Sequence, residues 1–389
     1  MKTSRRVAII GVGMTKFGEL WEHRYRDLIT KAGTEAIIDS GIEGEDIEGL
    51  YIGSMSPGRF SGQEHIGALV ADYSGLAGIP AVRVEGACAS GSLALREAYL
   101  AIKSGEMDIV VAGGVEKMTD VSTSSAAVTL MGAGDQEWEA FNGVTFPSLY
   151  AMMARRHMLE HGTTIEQISQ VAVKSHSNAA LNPHAQFPFE VTLEDVMGSS
   201  MVADPLRLLH CSPLSDGAAA VILASEEKAK KLVKEPIWIL SSACATDTLA
   251  LHDRKSLSRL DSTIIAAKQA YKRAGLKAED MEFAEVHDCF SIAEILAVEG
   301  LGFCDIGEGG KLTEDGETAL DGKIPINTSG GLKGKGHPVG ATGIAQAIEA
   351  TLQLRGKAGQ RQIKDAEIGL SHNVGGSGAT SVVHIFGRD

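Results

Sequence analysis

Residues 28–52 read LITKAGTEAIIDSGIEGEDIEGLYI, and residues 262–286 read STIIAAKQAYKRAGLKAEDMEFAEV. The two stretches align at a constant offset of 234: Ala36 meets Ala270, Gly41 meets Gly275, and Glu45-Asp46 meets Glu279-Asp280. Each copy predicts an amphipathic helix closed by glycine, a short acidic turn, then a buried strand. A second echo sets Ser90-Gly-Ser-Leu-Ala-Leu-Arg-Glu-Ala98 against Thr342-Gly-Ile-Ala-Gln-Ala-Ile-Glu-Ala350. After each, an apolar strand runs into paired glycines, Gly113-Gly114 and Gly375-Gly376. Two copies so far apart describe a duplicated α/β domain rather than a solenoid.

Roughly 120 residues between the copies, about 117–235, have no counterpart and read as an inserted loop domain. The expected division is residues 1–116 plus about 215–245 for the first half, 117–214 for the loop domain and 246–389 for the second half. Within the insertion, 148–161 reads as a helix stopped by Gly162, and 218–224 as a buried strand rejoining the first half. The Gly-, Asp- and Glu-rich stretch 305–323 reads as a surface excursion.

Composition narrows the function classes. The chain has 389 residues, of which 44% are hydrophobic and 22% charged, enough for a sizeable core and incompatible with disorder. Its 45 glycines follow no G-X-Y period, so they mark tight turns and close backbone approaches, not collagen. A formal net charge of −14 repels phosphate backbones, which argues against nucleic acid as the main partner. The five cysteines are dispersed and contain no C-x-x-C, so neither a disulfide framework nor a zinc ribbon is expected; a reducing cytoplasm fits. No segment approaches the ~18 apolar residues that span a membrane.

Four segments carry chemistry. Cys88, in Val84-Glu-Gly-Ala-Cys-Ala-Ser-Gly-Ser92, sits between an apolar stretch and a helix of small residues. A helix N-terminus favours thiolate, and small neighbours admit a thioester; an inert buried cysteine is the plainer alternative. His337 stands in Gly334-Lys-Gly-His-Pro-Val-Gly340, which opens the helix that echoes the Cys88 helix. In a duplicated fold the two helix starts face one another, bringing His337 to Cys88 as its base. A phosphate loop is excluded, because Lys335 is followed by Gly336 where G-x-x-x-x-G-K-[ST] needs Ser or Thr. Val286-His-Asp-Cys-Phe-Ser291 offers His287 and Cys289 at a strand end, although taken alone a surface turn is the better explanation. Ser371-His-Asn-Val-Gly-Gly-Ser-Gly378 leaves backbone N–H groups free for an oxyanion hole. His157-Met-Leu-Glu-His161 matches a metalloprotease pattern, but reads as a helix end whose histidines complement the dipole; no metal is expected.

Together the Cys88 segment, Ser212-Pro-Leu-Ser-Asp-Gly217, Gly336-His-Pro-Val-Gly340 and the C-terminal glycine strand resemble the thiolase superfamily over essentially the whole chain. Two departures stand out: His287-Asp-Cys-Phe290 replaces the usual Asn-Glu-Ala-Phe, and Asn373-Val-Gly-Gly376 replaces Cys-x-Gly-Gly. Both are similar to sterol-carrier-protein-2-type thiolases, and most of all to archaeal acetoacetyl-CoA thiolases. The resemblance implies a five-layered α-β-α-β-α core and an acetyl-CoA C-acetyltransferase feeding the mevalonate route. It implies that Cys88 carries the acetyl group, His337 is its base, and Cys289 removes the α-proton of a second acetyl-CoA. It implies further that His287 and His337 line one oxyanion hole, the N–H groups of Cys88 and Gly375 line another, and Ser241 touches the pantetheine. The substrates would be coenzyme A thioesters, with no other cofactor. Family members form homodimers or homotetramers, and the archaeal ones join hydroxymethylglutaryl-CoA synthase through a zinc-ribbon and OB-fold protein, toward which Lys333 and Lys335 are candidate contacts. A degradative 3-ketoacyl-CoA thiolase and a non-catalytic scaffold or acyl-CoA binder remain the alternatives. The end of the chain just after the last predicted strand argues against lipid transfer.

Overall fold

The computed structural model describes residues 5–388. Nine strands form one mixed sheet: β1 Val7–Met14, β2 Gly49–Gly53, β3 Ala81–Val84, β4 Ile109–Glu116, β5 Gly217–Ser225, β6 Ile237–Thr246, β7 Ala284–Glu285, β8 Ile368–Gly375 and β9 Thr380–Gly387. Their spatial order, β3-β2-β4-β5-β1-β6-β9-β8-β7, is a near-palindrome about the β1/β6 join. That join is slight, Ala8 opposite Trp238 and Ile9 opposite Ile237. By contrast β6 pairs with β9 from Trp238–Gly387 to Thr246–Thr380. This pairing puts β6 in the second half, so the boundary expected near 245 moves back to the start of the strand.

Seven principal helices cover the sheet: α1 Tyr25–Ser40, α2 Ser90–Ser104, α3 Phe146–His161, α4 Ile165–Ala180, α5 Asp261–Ala274, α6 Ser291–Leu301 and α7 Val339–Leu354. The repeated segment behaves as its pattern demands. Helices α1 and α5 both end on left-handed glycines, Gly41 at φ 69° and Gly275 at φ 73°, each followed by a one-turn acidic helix and then β2 or β7.

The layering follows from side-chain alternation. In β1, Val7 and Ile9 enter a core shared with α2 and α7, whereas Ala8 and Ile10 enter a core beneath α1. In the second half Ala243, Val383 and Leu370 pack under α5 and α6. Helices α2 and α7 therefore form the middle layer of five, α-β-α-β-α. Glycine lets these two helices touch at their starts: a Cβ on Gly91 would lie 2.6 Å from the Gly340 carbonyl oxygen. The inserted segment contributes α3 and α4, whose Leu149, Met153, Ile168 and Val171 pack on Ile292, Ile295 and Leu296 of α6. Helix α6 is buried on every side, wedged between the insertion and the second half. The stretch 305–323 is only partly a surface excursion, since its helix Gly309–Glu314 buries Gly309, Gly310 and Thr313.

Candidate active site

Three loops meet where α2 and α7 begin. Cys88 lies in the one-turn helix Ala87–Ala89 between β3 and α2, and Ala87 before it holds φ 54°, a left-handed strain that turns the thiol off the end of the strand. His337 lies between Gly336 and Pro338 at the entry to α7; its backbone N–H donates to Ser215 Oγ at 2.8 Å. His287 and Cys289 follow β7 and precede α6. The Asp288 carboxylate between them accepts the Leu332 N–H at 2.6 Å, and the Cys289 carbonyl accepts the Ser212 N–H at 2.9 Å. Segments distant in sequence are thus tied into one wall.

The Cys88 sulfur and a ring nitrogen from each of His287 and His337 lie within 4.8 Å of one another. The two imidazoles meet edge to face at 5.1 Å. Cys88, Cys289 and His337 open onto an apolar cavity of about 180 Å³, closed by Met118, Leu130, Phe146, Tyr150 and Phe290. Larger grooves exist, such as one of about 550 Å³ beside Glu43 and Ile79, but no cysteine or histidine lines it.

Hydrogen-bond bookkeeping sets the two histidines apart. Thr342 donates its single proton to the Pro338 carbonyl at 3.0 Å, so it accepts from His337 Nδ1–H at 2.7 Å. His337 Nε2 is left bare, buried and unpartnered, a lone pair available as base. The Asn373 amide donates to His287 Nδ1 at 2.9 Å, which leaves the His287 proton on Nε2, also unpartnered. One imidazole presents an acceptor and the other a donor.

Burial governs the charges. It holds His337 down at about 3, and it holds His287 well below the ordinary histidine value with help from repulsion by His337 and His372, so both rings are neutral at pH 7. Burial also pushes the Cys88 thiol up to about 12, against the lowering effect of the Gly376 N–H and with a further push from Glu116. The sequence-based expectation of a thiolate at the helix start is therefore corrected: desolvation outweighs the dipole, and the resting pair is thiol and imidazole. Cys289 is likewise raised well above its usual value by burial, opposed by the neighbouring Tyr150 hydroxyl.

Other expected residues fall elsewhere. Gly375 is the last ladder residue of β8, paired with Thr380, and it is Gly376, at φ 64°, whose N–H reaches the Cys88 sulfur. Ser241 sits buried in β6 opposite Ile385 and does not line the cavity, whereas Ser212 does. Lys333 and Lys335 are buried; Lys335 bonds Ser329 Oγ at 2.8 Å and faces Glu285, and Lys333 lies over the Phe187 ring, so neither offers a surface contact. His157 is not at an open helix end but fully buried, bridging Thr163 at 2.9 Å and Glu299 at 3.1 Å. The sequence reading missed Tyr150, Thr342 and Gly376; only the paired glycines at 375 and 376 had a signal that pointed to their place.

The family comparisons agree with this geometry. The thiolase N-terminal domain matches residues 7–227, and the thiolase C-terminal domain-like family matches residues 243–388. The chain belongs to the thiolase family. This thiolase is 59% identical over 384 residues to the acetyl-CoA acetyltransferase of Methanothermobacter thermautotrophicus, covering 99% of this chain and 100% of the relative. The acetyl-CoA acetyltransferase of Methanocaldococcus jannaschii is 52% identical over 392 residues, 98% of this chain and 99% of that one. Sterol carrier protein 2 of Homo sapiens is 38% identical over 395 residues, 98% of this chain and 72% of that protein. Among solved structures, an Ltp2-ChsH2(DUF35) aldolase superposes with a TM-score of 0.86 at 28% identity, covering 99% of this chain and 98% of the other. Full-length likeness to the two archaeal enzymes makes this thiolase an acyltransferase of the acetyl-CoA C-acetyltransferase type.

Proposed function

We propose that this thiolase joins two acetyl-CoA molecules into acetoacetyl-CoA and CoA, and reverses the reaction, with Cys88 as acyl carrier and Cys289 as carbon base. The observation that carries this reading is the opening of both cysteines and His337 onto one apolar cavity. Cys88 sulfur attacks the acetyl carbon as His337 Nε2 takes its proton; the bond to CoA sulfur breaks, and Cys289 protonates the leaving thiolate. The site then holds acetyl-Cys88, a His337 imidazolium and a Cys289 thiolate, with no net charge added.

The thiolate next removes a methyl proton from the second acetyl-CoA. The freed electron pair attacks the acetyl carbon, the bond to Cys88 breaks, and the departing sulfur recovers its proton from His337. Both cysteines end as thiols. In this reading the N–H groups of Cys88 and Gly376 face the acetyl oxygen, while Nε2–H of His287 and of protonated His337 faces the developing enolate. The apolar closure by Phe146, Leu130 and Phe290 supports a short acyl group over a long one.

Condensation of two thioesters runs uphill, so synthesis requires a step that consumes acetoacetyl-CoA; the mevalonate route in the cytoplasm supplies one. The solved neighbour, an Ltp2-ChsH2(DUF35) aldolase, is named together with a DUF35 component. That supports a partner protein for this thiolase too, of the zinc-ribbon and OB-fold kind, which would hand product to hydroxymethylglutaryl-CoA synthase. A homodimer or homotetramer is the proposed assembly.

The test is thiolysis of acetoacetyl-CoA by wild type, Cys88→Ala and Cys289→Ala, with mass spectrometry of the trapped enzyme. Cys88→Ala should lose acetylation, and Cys289→Ala should acetylate but not condense. Full activity of Cys289→Ala, or preference for long acyl chains, overturns the reading.

A further inference from the structure

Tyr150 lies in the second turn of α3, on the inserted segment, and is buried against the reaction cavity. Its ring stacks on Phe290, the residue after Cys289, with centroids 4.6 Å apart and planes inclined by 28°. Its hydroxyl donates to the Gly376 carbonyl at 3.1 Å, and both Tyr150 and Cys289 line the same cavity, where the hydroxyl acts electrostatically on the Cys289 thiol. Gly376 is the residue whose N–H reaches Cys88. One tyrosine side chain therefore bears on the carbon base through its oxygen, and on the oxyanion strand through the carbonyl it holds.

The hydrogens at this junction are few enough to count. The Gly376 carbonyl only accepts, and the phenol has one proton. When Cys289 is a thiol, its S–H points at the tyrosine oxygen and the tyrosine proton points at the carbonyl, so the chain is closed. When Cys289 is a thiolate it only accepts, and the tyrosine proton has a better acceptor in the sulfur, since bonds to a charged partner are roughly twice as strong. Turning the hydroxyl about one C–O bond makes the exchange, with no heavy atom displaced. The Arg254 guanidinium, which donates to Ser377 Oγ at 3.1 Å on the far side of the same turn, adds positive charge nearby.

We propose that Tyr150 is the positioning residue of the carbon-deprotonation step, its hydroxyl alternating between the Gly376 carbonyl and the Cys289 sulfur as that sulfur gains and loses charge. The proposal rests on the two-cysteine cycle above for its kinetic consequence, but not for the contact itself. It assigns a role in the second half-reaction to the inserted segment, which supplies neither cysteine nor His337.

Tyr150→Phe keeps the ring and its stacking and removes only the hydroxyl. In full-length enzyme of unchanged circular dichroism, kcat for acetoacetyl-CoA thiolysis should fall about tenfold or more, while acetylation of Cys88 from acetyl-CoA, whose leaving thiolate is a far weaker base than an enolate and depends less on Cys289, should fall distinctly less. A second measurement is independent of turnover: the rate of Cys289 carbamidomethylation by iodoacetamide, read by peptide mass spectrometry across pH. Losing the donor disfavours the thiolate, so the rate at a fixed pH below the midpoint should drop about fivefold or more. An unchanged Cys289 alkylation profile overturns the proposal, as does an equal fall in acetylation and thiolysis, which marks a merely structural tyrosine. If wild type fails to cleave acetoacetyl-CoA, the thiolase cycle is wrong and the alkylation profile still decides the Tyr150–Cys289 link.

Discussion

Thr342 Oγ1 stands 2.7 Å from Nδ1 of His337 and 3.0 Å from the carbonyl oxygen of Pro338. Its proton is committed to the carbonyl, so the hydroxyl presents lone pairs to the imidazole and holds its proton on Nδ1. The same helix start that carries His337 also chooses its tautomer, because residue 342 lies one turn into α7.

Thr342→Val keeps the branched shape and removes that choice. His337 then has no acceptor at Nδ1, and the tautomer with a blocked Nε2 gains population. Cys88 acetylation from acetyl-CoA should slow by about tenfold to a hundredfold, a fraction of what a complete general base provides. Thr342→Ser, which retains the hydroxyl, should restore most of the rate; rapid-quench mass spectrometry of the acetyl-enzyme reads both.

Gly376 combines a positive φ of 64° with a Cβ position 3.0 Å from the Ala133 carbonyl oxygen. Gly376→Ala therefore carries left-handed strain of about 1–2 kcal/mol and pushes on its neighbour. The strain moves the N–H off Cys88 and the carbonyl off Tyr150 together. Thiolysis should fall about a hundredfold or more, as for a lost oxyanion donor, while the melting temperature drops by only a few degrees. A melt and a steady-state assay on one preparation separate the two effects.

These positions show what the sequence makes legible. The echo of Ser90–Ala98 in Thr342–Ala350 foretold that two helix starts would meet, and glycines at 91 and 340 are what allow it. The repeat likewise foretold α1, α5, β2 and β7, because a glycine stop after an apolar helical stripe is a local signal. Choosing Gly376 over Gly375 needed the register against Thr380, a pairing that depends on the turn between β8 and β9. Lys333 and Lys335 look like surface charges in a glycine-rich loop, and only the packing of α4 and Glu285 against that loop buries them. The protonated Cys88 was illegible for a related reason. A helix start is visible in the sequence, but the apolar side chains that desolvate the thiol come from the insertion and the second half.

Asp216, in the Ser-Pro-Leu-Ser-Asp-Gly stretch, receives Lys117 Nζ at 2.6 Å and the backbone N–H groups of Met118 at 2.6 Å and Leu20 at 3.0 Å, with both charged side chains almost wholly buried. It pins the start of the insertion to the strand by which the chain returns. Asp216→Ala leaves the N–H groups of Leu20, Met118 and Thr119 without their acceptor and Lys117 with Asp120 as its remaining partner, at a cost of about 3–5 kcal/mol. Urea unfolding should show that loss, whereas the double variant Asp216→Ala with Lys117→Met should recover part of it. A double variant no better than the single one argues that the backbone N–H groups, not the ion pair, carry the stability.

Stability against acid follows from the buried rings. Burial holds His176, His210 and His384 down at about 4 and His337 and His372 at about 3. The unfolded chain protonates these rings near 6.5, so it binds more protons than the folded state as pH falls below that value, and stability is lost. Glu116 and Asp288 work in the opposite sense: burial raises each to about 7, so between about 7 and 4.5 the folded state takes up their protons first and gains stability. The histidines outnumber these carboxyls, so the net slope is destabilising below 6.5. It steepens once the unfolded carboxyls are also protonated below about 4.5, each unmatched proton being worth about 1.4 kcal/mol per pH unit. Urea midpoints taken from pH 7.5 to 4 should fall slowly at first and then steeply. His372→Gln, at a ring bonded to Thr263 at 2.9 Å, should flatten the curve by about one proton; an unchanged slope in that variant means the ring is already charged in the folded protein.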